Sequence, residues 1–408
     1  MLQLSKAGRK VIGFETVLLA LIVMFSFVIR LYYLLTVKPP ELTGDAYNYD
    51  VMVKQFLDNG FLGYDYFHNK SGEPNALITP GYPLFLSSIY IIFGYKSHSP
   101  LFEVRLIQIV LASLTSGLLY LVSKKLFKSM AIAALSSVLY SIYLVAIWVP
   151  TLLLTETLYT FLFILYFIVQ IYAVESESVI INSLAGILFA LSVLVRPAMA
   201  PLIVLPYLFY YMETKNIKLL KAFIYNVSGF ILVMSFWWIR NLIVLKRLVL
   251  FATQEDPLLR GTYPYYEGVD NMPVRNQKQV AVKRIIEGFS NQPLLYLKWY
   301  TVGKFTYLYL NEVFYYVDSK IKTLRSLIGL HYLYVQLGWI GVILSGIKKE
   351  IRLISLYIIM MTVIHLGFVA TSRYSYPVMP LLIVLCSYIT VKLARRLFRT
   401  LLKKETLF

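Results

Sequence analysis

The residues in this chain best suited to chemistry are two carboxylates and a set of cations, spaced far apart along a strongly apolar sequence. Asp45 stands just after the first apolar run, Glu156 follows Thr155 at the start of another, and Arg196, Arg240 and Arg373 each end one. A carboxylate at the boundary between water and lipid can act as a general base toward a hydroxyl, because partial desolvation raises its pKa toward neutrality. Asp is also favoured at helix N-termini, so Asp45 reads either as a base or as a cap. Glu156 carries the same pair of readings, since an acid this close to an apolar run needs a function or a partner, and a Thr-Glu pair can open a helix. Three guanidiniums on one face suit a phosphate or diphosphate, because each donates two parallel hydrogen bonds; any one of them taken singly can be a snorkelling helix end. Lys298 and Lys304 can supplement such an anion site or snorkel in the same way.

The elements that must position these groups follow from composition. Of 408 residues, 59% are hydrophobic and 15% charged, and mean hydropathy is +0.68, well above that of a water-soluble domain. Apolar runs of roughly 17 to 25 residues recur between basic or polar breaks, the length an α-helix needs to cross about 30 Å of hydrocarbon. The expected fold is therefore all-α, a polytopic membrane protein of about ten spans in a single domain. The first run, Val11 to Val37, follows Lys6, Arg9 and Lys10 but is too long for a signal peptide and lacks a small-residue cleavage site, so it reads as a retained span. Further spans are expected at about 103–123, 130–149, 156–175, 179–195, 199–212, 222–239, 327–346, 353–371 and 377–391.

Lysine clusters at 124–128, 215–221 and 348–352 mark one set of short loops as cytoplasmic. Two long regions, 38–102 and 241–326, then fall on the external side, and a basic tail, 392–408, lies inside against anionic headgroups. Residues 45–59 read as an amphipathic interfacial helix with Tyr49, Met52, Val53, Phe56 and Leu57 on one face, ended by Asn59-Gly60. The run Leu84 to Phe93 is too short to span and reads as a second interfacial or re-entrant helix. Tyr296 to Val317 is apolar enough to dip into the membrane. Tyr49, Thr79, Pro80 and Tyr82 belong to the polar, aromatic first loop, and Tyr374 adjoins Arg373; these are the expected substrate-facing residues.

Several function classes drop out. A net charge of +18 is not arranged as a solvent-facing basic stripe with interleaved aromatics, which argues against nucleic acid. His68, His98, His331 and His365 show no metal-ligand spacing, so no dedicated metal cage is expected, and there is no Walker A or dinucleotide fingerprint. The lone Cys386 sits in an apolar run and reads as a small hydrophobe. No repeated halves point to an alternating-access transporter.

Gly44-Asp45-Ala46-x-x-Tyr49, Thr79-Pro80-Gly81-Tyr82-Pro83, Thr155-Glu156, Leu194-Val195-Arg196-Pro197, Trp238-Ile239-Arg240-Asn241 and Arg373-Tyr374-x-x-Pro377-x-x-Pro380 occur in this order along the chain. The ordered set resembles the GT-C membrane glycosyltransferases, in the branch of protein O-mannosyltransferases and lipid A aminoarabinose transferases. The resemblance implies inverting transfer of a sugar from a polyprenyl-phosphate carrier, at the external face, to a lipid, glycan or protein acceptor. Asp45 would be the first-loop acid, Glu156 a second acidic position, and Arg373 with Arg196, Arg240, Lys298 and Lys304 would hold the donor phosphate. Many relatives carry paired acids where this chain has Asp45-Ala46, which weakens a metal role; a divalent cation is left open as a cofactor. The lack of a eukaryotic retention signal suggests a bacterial plasma membrane. A lipid-linked-sugar flippase and a polysaccharide polymerase or ligase are the alternatives.

Overall fold

The computed structural model describes residues 6–64, 73–269, 276–311, 313 and 328–405, with side chains between 13 and 400. His68, the end of the Tyr296 to Val317 run and the last part of the 241–326 region lie outside the described residues. Strands are absent among those described, and the chain runs through α1 (Lys6–Thr36), α2 (Gly44–Asn59), α3 (Gly81–Phe93), α4 (Leu101–Phe127), α5 (Met130–Ser141), α6 (Leu144–Trp148) and α7 (Glu156–Val174). It continues through α8 (Val179–Val195), α9 (Leu205–Thr214), α10 (Lys218–Val244), α11 (Asp256–Arg260), α12 (Gln277–Asn291), α13 (Pro293–Lys298) and α14 (Lys304–Tyr309). The final long helices are α15 (Ile328–Leu344), α16 (Arg352–Leu366) and α17 (Met379–Glu405).

Each of the ten expected spans falls on helical structure, but among the described residues only five helices are long and apolar enough to cross a membrane alone. A sixth crossing exists if α5 and the bent segment after it are taken together; they meet at 63°. Expected spans 179–195 and 327–346 are shorter apolar helices, and 199–212 starts as a 3-10 stretch, Pro197–Val204, before α9. Pro197 and Pro201 explain that stretch, because each lacks the amide an α-helix would use.

The break between α5 and α6 frees carbonyls where no water is at hand, and such groups must be satisfied by protein. Arg30 of α1, fully buried, does this. Its guanidinium donates to Ala146 O at 2.8 Å and Ser26 O at 2.9 Å, with longer contacts to Ser141 O and Tyr140 O. Arg30 is thus the pin of a broken helix. Elsewhere small residues set helix spacing: a Cβ on Gly186 of α8 would lie 1.8 Å from Asn226 O of α10, and one on Gly229 would lie 2.2 Å from Ser183 O.

The amphipathic reading of 45–59 corresponds closely to α2. Tyr49, Met52 and Val53 are buried, and Gly60, at φ +75°, ends the helix with its amide on Phe56 O. Asp50 fastens α2 to its neighbours by accepting from the hydroxyls of Tyr90 at 2.7 Å and Ser99 at 2.6 Å. The bundle has two chemically different ends. Glu15–Lys124, Lys125–Glu175, Lys218–Glu177 and Arg352–Glu213 pairs occupy one. Asp45, Glu156, Arg196 and Arg373 occupy the other.

Candidate active site

Four segments converge at that second end. The N-terminal turn of α2 brings Asp45, the start of α7 brings Glu156, the residue after α8 is Arg196, and the turn before α17, Ser372–Ser375, carries Arg373. The side chain of Glu156 is completely buried and its Oε1 accepts from both cations: from Arg196 Nη2 at 2.7 Å and from Arg373 Nε. Thr155 donates to its other oxygen at 3.3 Å and accepts from Arg196 Nε at 3.2 Å. Arg373 reaches onward, Nη1 to Asp45 Oδ2 at 2.5 Å, and Tyr64 OH donates to Asp45 Oδ1 at 2.9 Å. The result is an alternating chain, Arg196–Glu156–Arg373–Asp45, in which two acids and two cations balance.

Burial and charge act in opposite directions on Asp45. Desolvation pushes its carboxyl up, but the Arg373 charge and hydrogen bond, the Tyr64 hydroxyl and the more distant Arg196 outweigh it, leaving the pKa below the ordinary value. Asp45 is thus ionised, and its carboxylate is engaged by Arg373 and Tyr64 rather than by the amides of its own helix. Tyr64 is pushed the other way, up, by burial and then by Asp45 and Tyr49.

These groups border a cavity of about 540 Å³ whose lining includes Asp45, Tyr49, Thr79, Arg196, Arg373 and Tyr374. Six of the residues singled out from sequence therefore share one space, with Glu156 immediately behind Arg196 and Arg373. Pro80 and Tyr82 stand back from it: Pro80 precedes α3, while Tyr82 packs edge-on against Tyr49 with ring centroids 4.9 Å apart and donates to Gln108 at 3.1 Å. Three expected phosphate ligands lie elsewhere. Arg240 donates to the carbonyls of Asn75 and Leu62, both at 2.9 Å, and so holds the first loop. Lys304 is buried and donates to Leu366 O at 2.8 Å and Phe368 O at 2.9 Å. Lys298 ends α13 on the exposed surface.

Lys304 instead shapes the site from behind. The Leu366–Thr371 segment leads into Arg373, and it is tied down by Lys304, by Val369 N on Pro257 O at 2.8 Å and by Tyr266 OH, which bonds both N and O of Ala370 at 2.7 Å. Gly261 lies so close to Phe368 that a Cβ would be 2.5 Å from its carbonyl carbon. The second long region is therefore a brace for the cavity wall, and Gln254, Asp256, Pro257 and Arg260 contribute to that wall directly.

Sequence reading missed Tyr64, Tyr159, Arg260 and His365. Tyr159 had a signal, since it lies three residues after Glu156 and so on the same helix face. Arg260 and His365 had none, because only the fold brings them to the cavity. For a divalent cation the donor set fits poorly. Both site carboxylates are already neutralised by guanidiniums, and no cluster of three metal-ligating side chains occurs among the described residues.

The described residues thus form a bundle with five helices long and apolar enough to cross a membrane and an acid–guanidinium relay at one end, and the fold can be compared with known proteins. No family model matches the chain, and no curated protein matches it in sequence. In structure it is similar to the oligosaccharyltransferase of Archaeoglobus fulgidus in the apo form, with TM-score 0.58 and 16% identity over 95% of this chain and 51% of that one. The archaeal enzyme AglB from the same organism, in complex with an inhibitory peptide and a dolichol-phosphate, matches at TM-score 0.57 with the same identity and coverage. ArnT from Cupriavidus metallidurans, bound to undecaprenyl phosphate, matches at TM-score 0.54 and 11% identity over 92% of this chain and 60% of that one. The fold is GT-C-like. The chain spans about half to 60% of the length of these structures.

Proposed function

We propose that this chain is an inverting glycosyltransferase that takes a sugar from a polyprenyl-phosphate donor and transfers it to a hydroxyl of a cell-envelope lipid, glycan or protein, at the external face of a bacterial plasma membrane. The observation that carries the reading is the contact between Asp45 and Arg373 at the cavity, an ionised carboxylate beside a guanidinium that is itself anchored by a buried acid. The neighbours in complex with dolichol-phosphate and with undecaprenyl phosphate support a lipid-phosphate ligand.

The chemistry needs a base on one side of the anomeric carbon and cations on the other. Asp45 accepts the acceptor's hydroxyl proton while the acceptor oxygen bonds to that carbon, and the carbon's bond to the phosphate oxygen breaks with its electron pair staying on the phosphate. Arg196 and Arg373 hold the departing phosphate, whose charge develops as the bond lengthens. Glu156 has no path to substrate except through these two cations, so its part is to keep them in place against their mutual repulsion. In the resting arrangement Arg373 makes Asp45 a weak base. A bound phosphate would draw part of that positive charge away, so the base strengthens when the donor arrives. No step is assigned to a metal ion.

The test is turnover of radiolabelled polyprenyl-phosphate sugars by the purified chain, with Asp45→Asn alongside. Loss of about 10²- to 10⁴-fold is expected for removal of a general base. Turnover retained in folded Asp45→Asn sinks the assignment.

A further inference from the structure

The charged groups around the cavity already have partners within the protein. Its carboxylates, Asp45 and Asp256, are engaged by Arg373 and Arg260, and Arg196 is bound to Thr155 and Glu156. His365 of α16 is different. It is only 6% exposed, and it lines the cavity. Its Nδ1 lies 2.8 Å from Met361 O, one turn back on the same helix. A carbonyl oxygen can only accept, so Nδ1 carries the hydrogen and the neutral imidazole keeps its lone pair at Nε2. Across the ring from Nδ1, Nε2 has no hydrogen-bond partner among the described residues and is not sealed off by them. A polar side chain this deeply buried with an idle acceptor calls for an explanation.

Its neighbours put that acceptor beside the relay. The His365 ring packs on Tyr374 with centroids 5.5 Å apart, and the Arg196 guanidinium carbon lies 5.4 Å from the centre of the same Tyr374 ring. The imidazole therefore shares one aromatic neighbour with a cation of the relay and one space with Asp45 and Arg373.

We propose that His365 Nε2 accepts a hydrogen bond from a hydroxyl of the sugar being transferred, so that this residue helps to select which sugar reacts. The inference rests on the glycosyl-transfer reading above and deepens it, by naming a residue for the sugar rather than for the phosphate. A fully ionised phosphate has no hydrogen to give to a lone pair, and a protonated sugar amine would be repelled by Arg196 and Arg373. A hydroxyl donates without bringing charge. A sugar lacking that hydroxyl would leave Nε2 desolvated and unpaired, which is how a polar site rejects an analogue.

Two substitutions divide the imidazole into its halves. The amide of His365→Asn can replace Nδ1 on Met361 O but does not reach the position of Nε2, whereas the longer His365→Gln can place an amide oxygen there and gives up the Nδ1 position. Dissociation constants of the full chain are measured in detergent at about pH 8, above the ordinary imidazole pKa of about 6.5. The ligands are undecaprenyl phosphate alone and undecaprenyl phosphate carrying glucose, galactose, mannose or arabinose. The quantity read is the affinity that the best-bound sugar adds to the bare lipid phosphate.

In His365→Asn that added affinity should fall about tenfold, the order of one buried hydrogen bond, while binding of bare undecaprenyl phosphate stays at the wild-type level; His365→Gln should retain most of it. Loss in both variants, loss in neither, or loss only in His365→Gln overturns the subsite. An equal fall for bare undecaprenyl phosphate in His365→Asn overturns it too, because the residue would then be acting on the phosphate or on the fold. If no sugar adds affinity in the wild type, the sugar subsite is refuted and the lipid-phosphate ligand stands. Failure of the wild type to bind undecaprenyl phosphate at all counts against the transfer reading itself.

Discussion

Removing each carboxylate of the relay in turn should separate the acid that organises the site from the acid that reacts. Glu156 is fully buried, and its two partners, Arg196 and Arg373, have side chains only 12% and 15% exposed. Glu156→Ala therefore strands two nearly buried guanidiniums facing one another. Breaking a buried ion pair by deleting one partner costs about 3–5 kcal/mol; the cavity beside the cations admits some water, so the lower half of that range is expected. Asp45 is different, with a side chain 32% exposed. Partly exposed pairs contribute roughly 0.2–1 kcal/mol, and Asp45→Asn retains an oxygen for Tyr64, so its cost should be about 1 kcal/mol or less. The two variants should thus differ by about 2 kcal/mol or more in unfolding free energy, measured by reversible denaturation in mixed micelles with tryptophan fluorescence. Activity should rank the other way per unit of stability lost, with Asp45→Asn inactive while well folded. Equal stability losses, or a folded and inactive Glu156→Gln beside an active Asp45→Asn, would refute the division of roles.

Two further outcomes follow from the same structure. Because Arg373 holds the Asp45 carboxyl below its ordinary value, the stability this pair contributes is complete above the unfolded-state pKa of about 3.9 and is lost as pH falls through the lower folded value; Arg373→Ala should remove the strongest opposition to desolvation, leaving only Tyr64 and the more distant Arg196, and move the acid limb of the activity profile to higher pH. An unmoved limb in folded Arg373→Ala would show that some other group controls it. Gly186→Ala should cost about 1–3 kcal/mol or more by overpacking, since the new methyl would meet a backbone oxygen 1.8 Å away; a thermal unfolding temperature equal to wild type would mean that α8 and α10 can separate without penalty.

Much of this protein was legible in one dimension. Apolar run length required a helical membrane fold, because only satisfied helices of that length cross hydrocarbon. The apolar stripe at Tyr49, Met52 and Val53 and the stop at Gly60 defined α2, because both depend on local periodicity and backbone conformation. Asp45, Glu156, Arg196 and Arg373 could be nominated because ionisable groups at the ends of apolar runs are costly and therefore informative.

What sequence could not supply was partnership. Arg196, Arg240 and Arg373 look alike as span-end cations, yet Arg196 and Arg373 meet on Glu156, and Arg240 is held by two loop carbonyls. Lys304 likewise became a brace rather than a cavity cation, because Leu366 and Phe368 presented carbonyls to it. The partners lie 40 to 328 residues apart in the chain, beyond the reach of any local pattern. Charge type and span boundaries are properties of short segments, whereas which cation neutralises which acid depends on how the helices pack.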